Sequence, residues 1–357
     1  MPGLELASIV TAGRAADARA AHPDAEVLPS AEALFSAAGD HDLVVVAAPN
    51  RHHASLALDA IGAALPVVVD KPLAAGIEEG ERIAAAARAA GVIASVFHNR
   101  RWDGDFLTLR RLVADGSLGD LHRFESRFER WRPEVDADRW RERADPADAG
   151  GVLFDLGPHL IDQAAELLGP VRSVYAEVRE LRPGAQVDDD FFVALEHDSG
   201  ARSHLWGTTM AAQLGPRLRA LGSEAAYVKW GLDVQEEALR AGASPSDPGF
   251  GEEPREAWGL LGTDEASEPV PTERGRYVEF YEQLERAIRD GEPPPVPLDA
   301  GIEEPPGAGT EEPPGAGTEE RVHRGVLPPV PLEAGVETLR VIEAARQSSA
   351  ERSVVSL

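Results

Sequence analysis

Three short segments of the sequence hold residue types that can move a proton and stabilise a negative oxygen. The first is Val67-Val-Val-Asp70-Lys71-Pro72-Leu73, an acidic-Lys-Pro triplet closing a β-branched run. Open α/β sheets bind ligands at the carboxyl ends of their strands, which is where this lysine would stand. Proline after it fixes the backbone as the chain leaves the strand. Lysine is rare here: 33 of the 35 basic residues are arginine, leaving only Lys71 and Lys229. A lysine kept in so arginine-rich a chain marks a place where a compact ammonium is needed and a guanidinium does not serve. Taken alone, the triplet also suits a strand-ending turn with an exposed lysine. Lys229 falls in no motif and reads as a surface or sheet residue.

The second segment is Gly150-Gly151-Val-Leu-Phe-Asp155-Leu-Gly157-Pro158-His159-Leu-Ile-Asp162. Asp155 and His159 are four residues apart and share one face of a helix. Histidine titrates near neutrality, so a histidine with a nearby carboxylate is the usual general acid–base pairing. The same spacing also suits a purely structural pair. Gly157-Pro158 predicts a tight helix start at that point. No His-x-x-x-His or Glu-x-x-x-His pair lies nearby, so no metal site is expected. The third segment, Ala48-Pro49-Asn50-Arg51-His52-His53, ends another strand. Asn50 there is either the N-cap of the following helix or, with His53, a neighbour of a bound dinucleotide.

These segments need a scaffold that brings strand ends and a helix face together. Through residue 97 short apolar runs (Leu6–Val10, Asp42–Ala48, Pro66–Val69, Val92–Phe97) alternate with helical stretches (Ala15–Ala21, His53–Ala64, Ile77–Ala90). Strands apolar on both faces, alternating with helices, predict a parallel sheet covered by helices, the doubly wound α/β class. From His98 the pattern changes to a helix (Phe106–Ala114) and closely spaced strands. These are Leu121–Trp131, Val171–Leu181, Asp190–His197, Ala201–Thr209, Arg217–Gly222 and Ala226–Trp230, which predict an α+β domain with a large mixed or antiparallel sheet. The expected division is therefore 1–97 and 98–357, the open face of the second sheet being a candidate subunit interface for a homo-oligomer. Pro294–Glu303 recurs as Pro328–Glu337 with two Glu-Glu-Pro-Pro-Gly-Ala-Gly-Thr copies between. The tract 301–327 reads as a disordered, duplicated insert; Val336–Gln347 reads as a helix.

Composition narrows the function classes. A formal charge of −27 argues against nucleic acid or an anionic membrane as partner. The absence of cysteine excludes disulfides, thiolate metal sites and cysteine nucleophiles. No apolar run has the length of a membrane span and no signal peptide opens the chain, so a cytoplasmic protein is expected.

Together the Pro49-Asn50-x-x-His53 turn, the Asp70-Lys71-Pro72 triplet and the Gly150-Gly151…Asp155-x-Gly157-x-His159-x-x-Asp162 segment resemble the Gfo/Idh/MocA oxidoreductases. The tract Phe97-His-Asn99-Arg100-Arg101-Trp102-Asp103 looks like the version in scyllo-inositol dehydrogenase-like members. The resemblance implies hydride transfer between a nicotinamide cofactor and a secondary alcohol of a sugar, polyol or cyclitol. It places Lys71, Asp155 and His159 in catalysis: His159 as the base, Lys71 polarising the oxygen, and Asp155 orienting the histidine or a hydroxyl. Asp70 stands where the family more often has glutamate. Arg14, Pro49, Asn50, His53, Asp70, Lys71 and Asn99 become candidate cofactor contacts, and Arg100 and Trp102 candidate substrate contacts beside Asp155 and His159. After the first strand no acidic residue offers itself to a ribose 2′-hydroxyl, whereas Arg14 could accept a 2′-phosphate, which favours NADP over NAD. A Rossmann domain of this kind normally opens with a strand and a Gly-x-Gly-x-x-Gly turn. The sequence has none, and an incomplete Rossmann sheet with its first βα unit upstream of Met1 is expected. A catalytically silent, sugar- or nucleotide-binding member is the alternative.

Overall fold

The computed structural model describes residues 3–11, 13–136, 139–290 and 330–357. The expected insert 301–327 lies outside the described residues. The N-terminal part runs β1 (Ser8–Val10), α1 (Ala15–Ala21), β2 (Glu26–Leu28), α2 (Ala31–Ser36), β3 (Val44–Val46), α3 (His53–Gly62), β4 (Val67–Asp70), α4 (Ile77–Ala90) and β5 (Ala94–Phe97). β4 is the middle strand of a parallel sheet, β3-β4-β5, and its three valines are fully buried. A strand covered on both faces must be apolar throughout, which is why this run reads as it does. β1 and β2 form a separate parallel pair, so the doubly wound sheet is incomplete and lies in two pieces. Val45 of β3, the edge strand of the three-stranded sheet, is 46% exposed.

The second part runs α5 (Gly104–Ala114), β6 (Leu121–Glu129), α6 (Val152–Leu168), β7 (Val171–Arg179), β8 (Asp190–His197), β9 (Arg202–Thr208), β10 (Leu218–Gly222) and β11 (Ala226–Lys229). It continues through α7 (Gln235–Arg240), β12 (Gly259–Gly262), β13 (Ser267–Val270), α8 (Tyr277–Asp290), α9 (Leu332–Glu351) and β14 (Val355–Ser356). The strands form one nine-stranded sheet in the order β13-β12-β11-β10-β6-β9-β8-β7-β14. Only β6 and β9 pair in parallel, so the sheet is mixed, as the sequence predicts. The strands and helices not singled out in the sequence are short or polar, with the exception of α8. Its Tyr277, Phe280, Leu284 and Ala287 are buried at helical spacing, a legible signal.

Lys229 is not a surface residue. It sits on β11, 1% exposed, with its ammonium 3.1 Å from Glu253 and donating to the Trp230 carbonyl at 2.7 Å. Burial of a lysine demands such partners, and the strand alternation that turns it inward is set by register rather than by residue type.

The C-terminal helix α9 joins the two sheets. It packs on β7 and α6 of the second part and on α4 and β5 of the first. Ser95 of β5 donates to the Val330 carbonyl at 2.7 Å just before α9 begins. Gly335 permits the close approach: a Cβ there would lie 3.0 Å from Leu73 and 3.3 Å from Val96. Leu73 follows the Lys71-Pro72 turn directly, so this packing also supports the strand end that carries the lysine. Gly335→Leu is therefore expected to lower the unfolding free energy by about 1–3 kcal/mol through overpacking. Urea denaturation checks this; an unchanged midpoint would show that α9 does not pack as described.

Candidate active site

Helix α6 carries the Asp155–His159 pair, and its start is built from a glycine and an acid. Gly151 has φ +97°, and a Cβ on it would fall 2.3 Å from the Asp188 carboxylate. That carboxylate accepts the Leu153 amide at 2.6 Å, and the Asp188 carbonyl accepts the Val152 amide at 2.8 Å. Two of the unpaired donors of the first helical turn are thus satisfied by one residue from the approach to β8. The helix does not begin at Gly157-Pro158 as the sequence suggests. Pro158 lies inside it, where the apolar residues around it (Leu153, Phe154, Leu160, Ile161) bury the helix on nearly every side and outweigh the lost backbone bond.

Lys71, at the end of β4, reaches across to α6. Its Nζ donates to the Asp155 carbonyl at 2.6 Å and to Asp155 Oδ1 at 3.2 Å. Arg141 approaches the same carboxylate at 3.3 Å. Burial pushes the Asp155 carboxyl up, but Lys71, Arg141 and Arg130 together hold it below its ordinary value. One turn along the helix, His159 is buried, and its Nδ1 has no hydrogen-bond partner among the described residues. Burial, then the charges of Lys71 and Arg100, hold its pKa well below the usual 6.5. His159 is consequently neutral at pH 7 and able to take a proton. Among the described residues Asp155 spends its carboxylate on Lys71 and Arg141 rather than on the histidine, so of the two expected roles, orienting the histidine or a hydroxyl, the first is not seen. His98, at the end of β5, is a second buried neutral imidazole, 3.8 Å from Asp162, which Arg101 engages at 2.7 Å.

Several candidate contacts turn inward and act as fasteners. His53 has Nδ1 2.8 Å from the Pro72 carbonyl and Nε2 2.8 Å from the Ala48 carbonyl, tying the Lys71 turn to the end of β3. Asn50 is not an N-cap; Pro49 holds that position in the short helical turn. The Asn50 amide instead donates to the carbonyls of Asp148 (3.1 Å) and Ala149 (3.4 Å), just before α6. Both side chains thereby tie together the elements that carry the site. Asp70 accepts the Lys71 amide at 2.8 Å, and the Lys71–Pro72 peptide is cis. Trp102 is core, its ring edge-on to Phe280 at 5.5 Å. Arg100 is buried beneath the site, bonded to Tyr277 Oη at 2.9 Å, Asp103 and Glu236. Both had been expected at the substrate, and α8, which covers them, is what turns them inward.

For a nicotinamide dinucleotide the residues present fit the reactive end. The carboxyl end of β4 with Lys71, its partner Asp155 and, one helical turn on, the His159 nitrogen that has no partner among the described residues stand there, and the half-buried Asn99 follows the carboxyl end of β5. Arg14 follows β1 and is 78% exposed, and among the described residues it pairs with Asp17 at 3.0 Å. The sequence contains no Gly-x-Gly-x-x-Gly turn to hold the pyrophosphate. Among the described residues no group of three or more His, Cys, Asp or Glu is placed to hold a metal, and no helix is long and apolar enough to cross a membrane.

Comparison with known proteins gives the family and the fold. Residues 1–98 match a family model described as an oxidoreductase family with an NAD-binding Rossmann fold, and residues 106–228 match the GFO/IDH/MocA C-terminal domain. The chain is 34% identical to the scyllo-inositol 2-dehydrogenase (NADP(+)) IolW of Bacillus subtilis (strain 168), over 99% of this chain and 88% of that protein. It is 39% identical to the uncharacterized oxidoreductase YdgJ of Escherichia coli (strain K12), over 85% and 86%. Among solved structures, YvaA from Bacillus subtilis superposes with a TM-score of 0.84 at 33% identity, covering 99% of this chain and 91% of that one.

The helix start yields a pH test. Burial pushes the Asp188 carboxyl up to about 6, outweighing the Leu153 amide and Arg346. An acid whose pKa is raised in the folded state stabilises the fold while protonated. That contribution is complete below the unfolded value near 4 and is lost as pH rises through about 6. Unfolding free energy should therefore fall between pH 4 and 7 by up to about 3 kcal/mol from this group. Asp188→Asn keeps an acceptor for Leu153 and should flatten the profile; an unaltered slope would remove Asp188 from the account.

Proposed function

This chain belongs to the Gfo/Idh/MocA oxidoreductase family, and from that premise we propose that it transfers a hydride between NADP and a secondary alcohol of a sugar, polyol or cyclitol. It is an enzyme, and its cofactor is a nicotinamide dinucleotide. The observation that carries the reading is the meeting of Lys71 from β4 with Asp155 and His159 on one face of α6. The IolW relative, named for scyllo-inositol and NADP, supports the substrate class and the cofactor.

The cofactor, when bound, supplies the hydride acceptor. His159, neutral and desolvated, takes the hydroxyl proton as the carbinol carbon is oxidised. The Lys71 ammonium, held by Asp155, stabilises the negative charge that develops on the oxygen. In the reverse direction His159 returns the proton. Burial around His159 excludes water from the proton-transfer path. At the other end Arg14 would hold the 2′-phosphate; its exposed pair with Asp17 costs little to break. The open face of the large sheet, where Phe192, His204 and Trp206 cluster, is the contact surface of a homo-oligomer.

Lys71→Met and His159→Asn should each lower NADP+ reduction with inositols or aldoses by roughly 100-fold or more while the fold survives. Assays at 340 nm with circular dichroism check this; full activity in either variant would sink the assignment. Dinucleotide binding with no alcohol oxidised across the panel would favour a silent, ligand-binding member. Arg14→Ala should raise the KM for NADP+ about tenfold or more, without a matching effect on NAD+. Equal effects on both would remove Arg14 from the phosphate.

A further inference from the structure

Strand β6 aims one row of side chains at α6. Phe128 is the last fully buried member, its ring centroid 6.1 Å from that of His159. Beyond it the chain stays extended: the Arg130 amide donates to the Thr208 carbonyl, the Arg132 amide to the Thr209 carbonyl, and Trp131 bridges to Met210. Alternate residues of an extended chain face the same way, about 6.5–7 Å apart. Arg130 and Arg132 therefore continue the row of Phe128 past His159, while Trp131, 54% exposed, faces the other side.

Arg130 is half-buried, and among the described residues its guanidinium has no ion-pair partner. The acidic groups whose charge bears on it are Asp155 and Glu236, opposed by Arg132 and Arg100. Both carboxylates are already shared. Asp155 serves Lys71 at 3.2 Å and Arg141 at 3.3 Å; Glu236 serves Arg100 and, at 2.7 Å, Arg240. Arg100 also meets Asp103, whose carboxyl burial pushes well above its ordinary range, opposed by Arg100 itself. Around Arg130, cations thus outnumber available carboxylates, in a chain whose overall charge is −27. A partly desolvated guanidinium without a counter-charge is costly unless a ligand supplies one.

We propose that Arg130, backed by Arg132, is an anion subsite of the active site, and that the substrate is a polyhydroxy compound bearing a carboxylate or phosphate ester. This rests on the hydride-transfer reading and narrows its substrate class from neutral polyols to sugar acids or sugar phosphates. The forked guanidinium binds either anion through two parallel hydrogen bonds. Anchoring that group fixes which hydroxyl faces His159 and Lys71, so the subsite sets regiochemistry as well as affinity. The dinucleotide pyrophosphate is the other possible anion. It belongs at the turn after the first strand of the parallel sheet, whereas Arg130 extends from the second sheet.

The test compares the wild-type protein with Arg130→Gln and Arg130→Lys by calorimetry and by steady-state kinetics. The probes are D-glucuronate, D-gluconate, D-glucose 6-phosphate, D-glucose, scyllo-inositol and NADPH. At least one anionic probe should bind the wild type roughly tenfold or more tightly than its neutral counterpart, and Arg130→Gln should erase that preference. Arg130→Lys, keeping the charge but losing the fork, should restore part of it. Where turnover is measurable, the loss should appear in KM more than in kcat. The identity of the preferred probe separates carboxylate from phosphate. No anion preference in the wild type, a preference that survives Arg130→Gln, or a loss confined to NADPH affinity would each overturn the subsite. Anion binding that depends on Arg130, with no probe oxidised, would uphold the subsite while counting against the hydride-transfer reading.

Discussion

A lysine at the end of one sheet and a helix packed on another must meet for this site to exist, and the contact between Lys71 and Asp155 is where they do. The ion pair is not a strong source of stability, because removing two charges from water offsets most of their attraction. Its value is positional. Four other features hold it in register: Gly151 and Asp188 start α6 at the right place, His53 ties the lysine turn to the end of β3, Asn50 ties that end to the approach to α6, and α9 packs behind Leu73. The motifs of this sequence are therefore largely a set of fasteners around one cross-sheet contact.

The same crowding of charge sets the chemistry. His159 is desolvated and surrounded by cations, which disfavours its protonated form and leaves a base that is free at neutral pH. In the proposed reaction Lys71 plays two parts, depressing the histidine's proton affinity and stabilising the oxygen that loses the proton. Asp155 keeps the ammonium in place and is itself kept ionised by Lys71 and Arg141, despite burial that pushes the other way. Beneath, the Arg101–Asp162 pair and the Arg100–Tyr277–Asp103 cluster form a polar floor that the active-site side chains rest on.

Much of this was legible where the relevant physics is local. An Asp-x-x-x-His spacing shares a helix face wherever the helix forms, and valine runs between alanine-rich helices give a covered parallel sheet. Lys71 stood out because lysine is scarce. What could not be read depended on partners far along the chain. Asn50 bonds carbonyls 98 and 99 residues away, and Trp102 lies in the core because α8, from residue 277 onward, covers it. The sequence points to the wrong start for α6 because Pro158 is a strong local signal, and the acceptor that sets the true start, Asp188, arrives 35 residues after the amide it caps. The acidic run Asp188-Asp189-Asp190 ahead of β8 was the available hint. Lys229 likewise owed its burial to strand register and to Glu253.

The central claim is that burial and the Lys71 charge together keep His159 neutral as the catalytic base. The most direct measurement is an NMR titration of the His159 ring nitrogens in the wild-type protein, assigned with His159→Asn. The account predicts a midpoint well below the ordinary 6.5, moving upward in Lys71→Met. A His159 that titrates at or above 6.5, or a midpoint indifferent to Lys71, would contradict it.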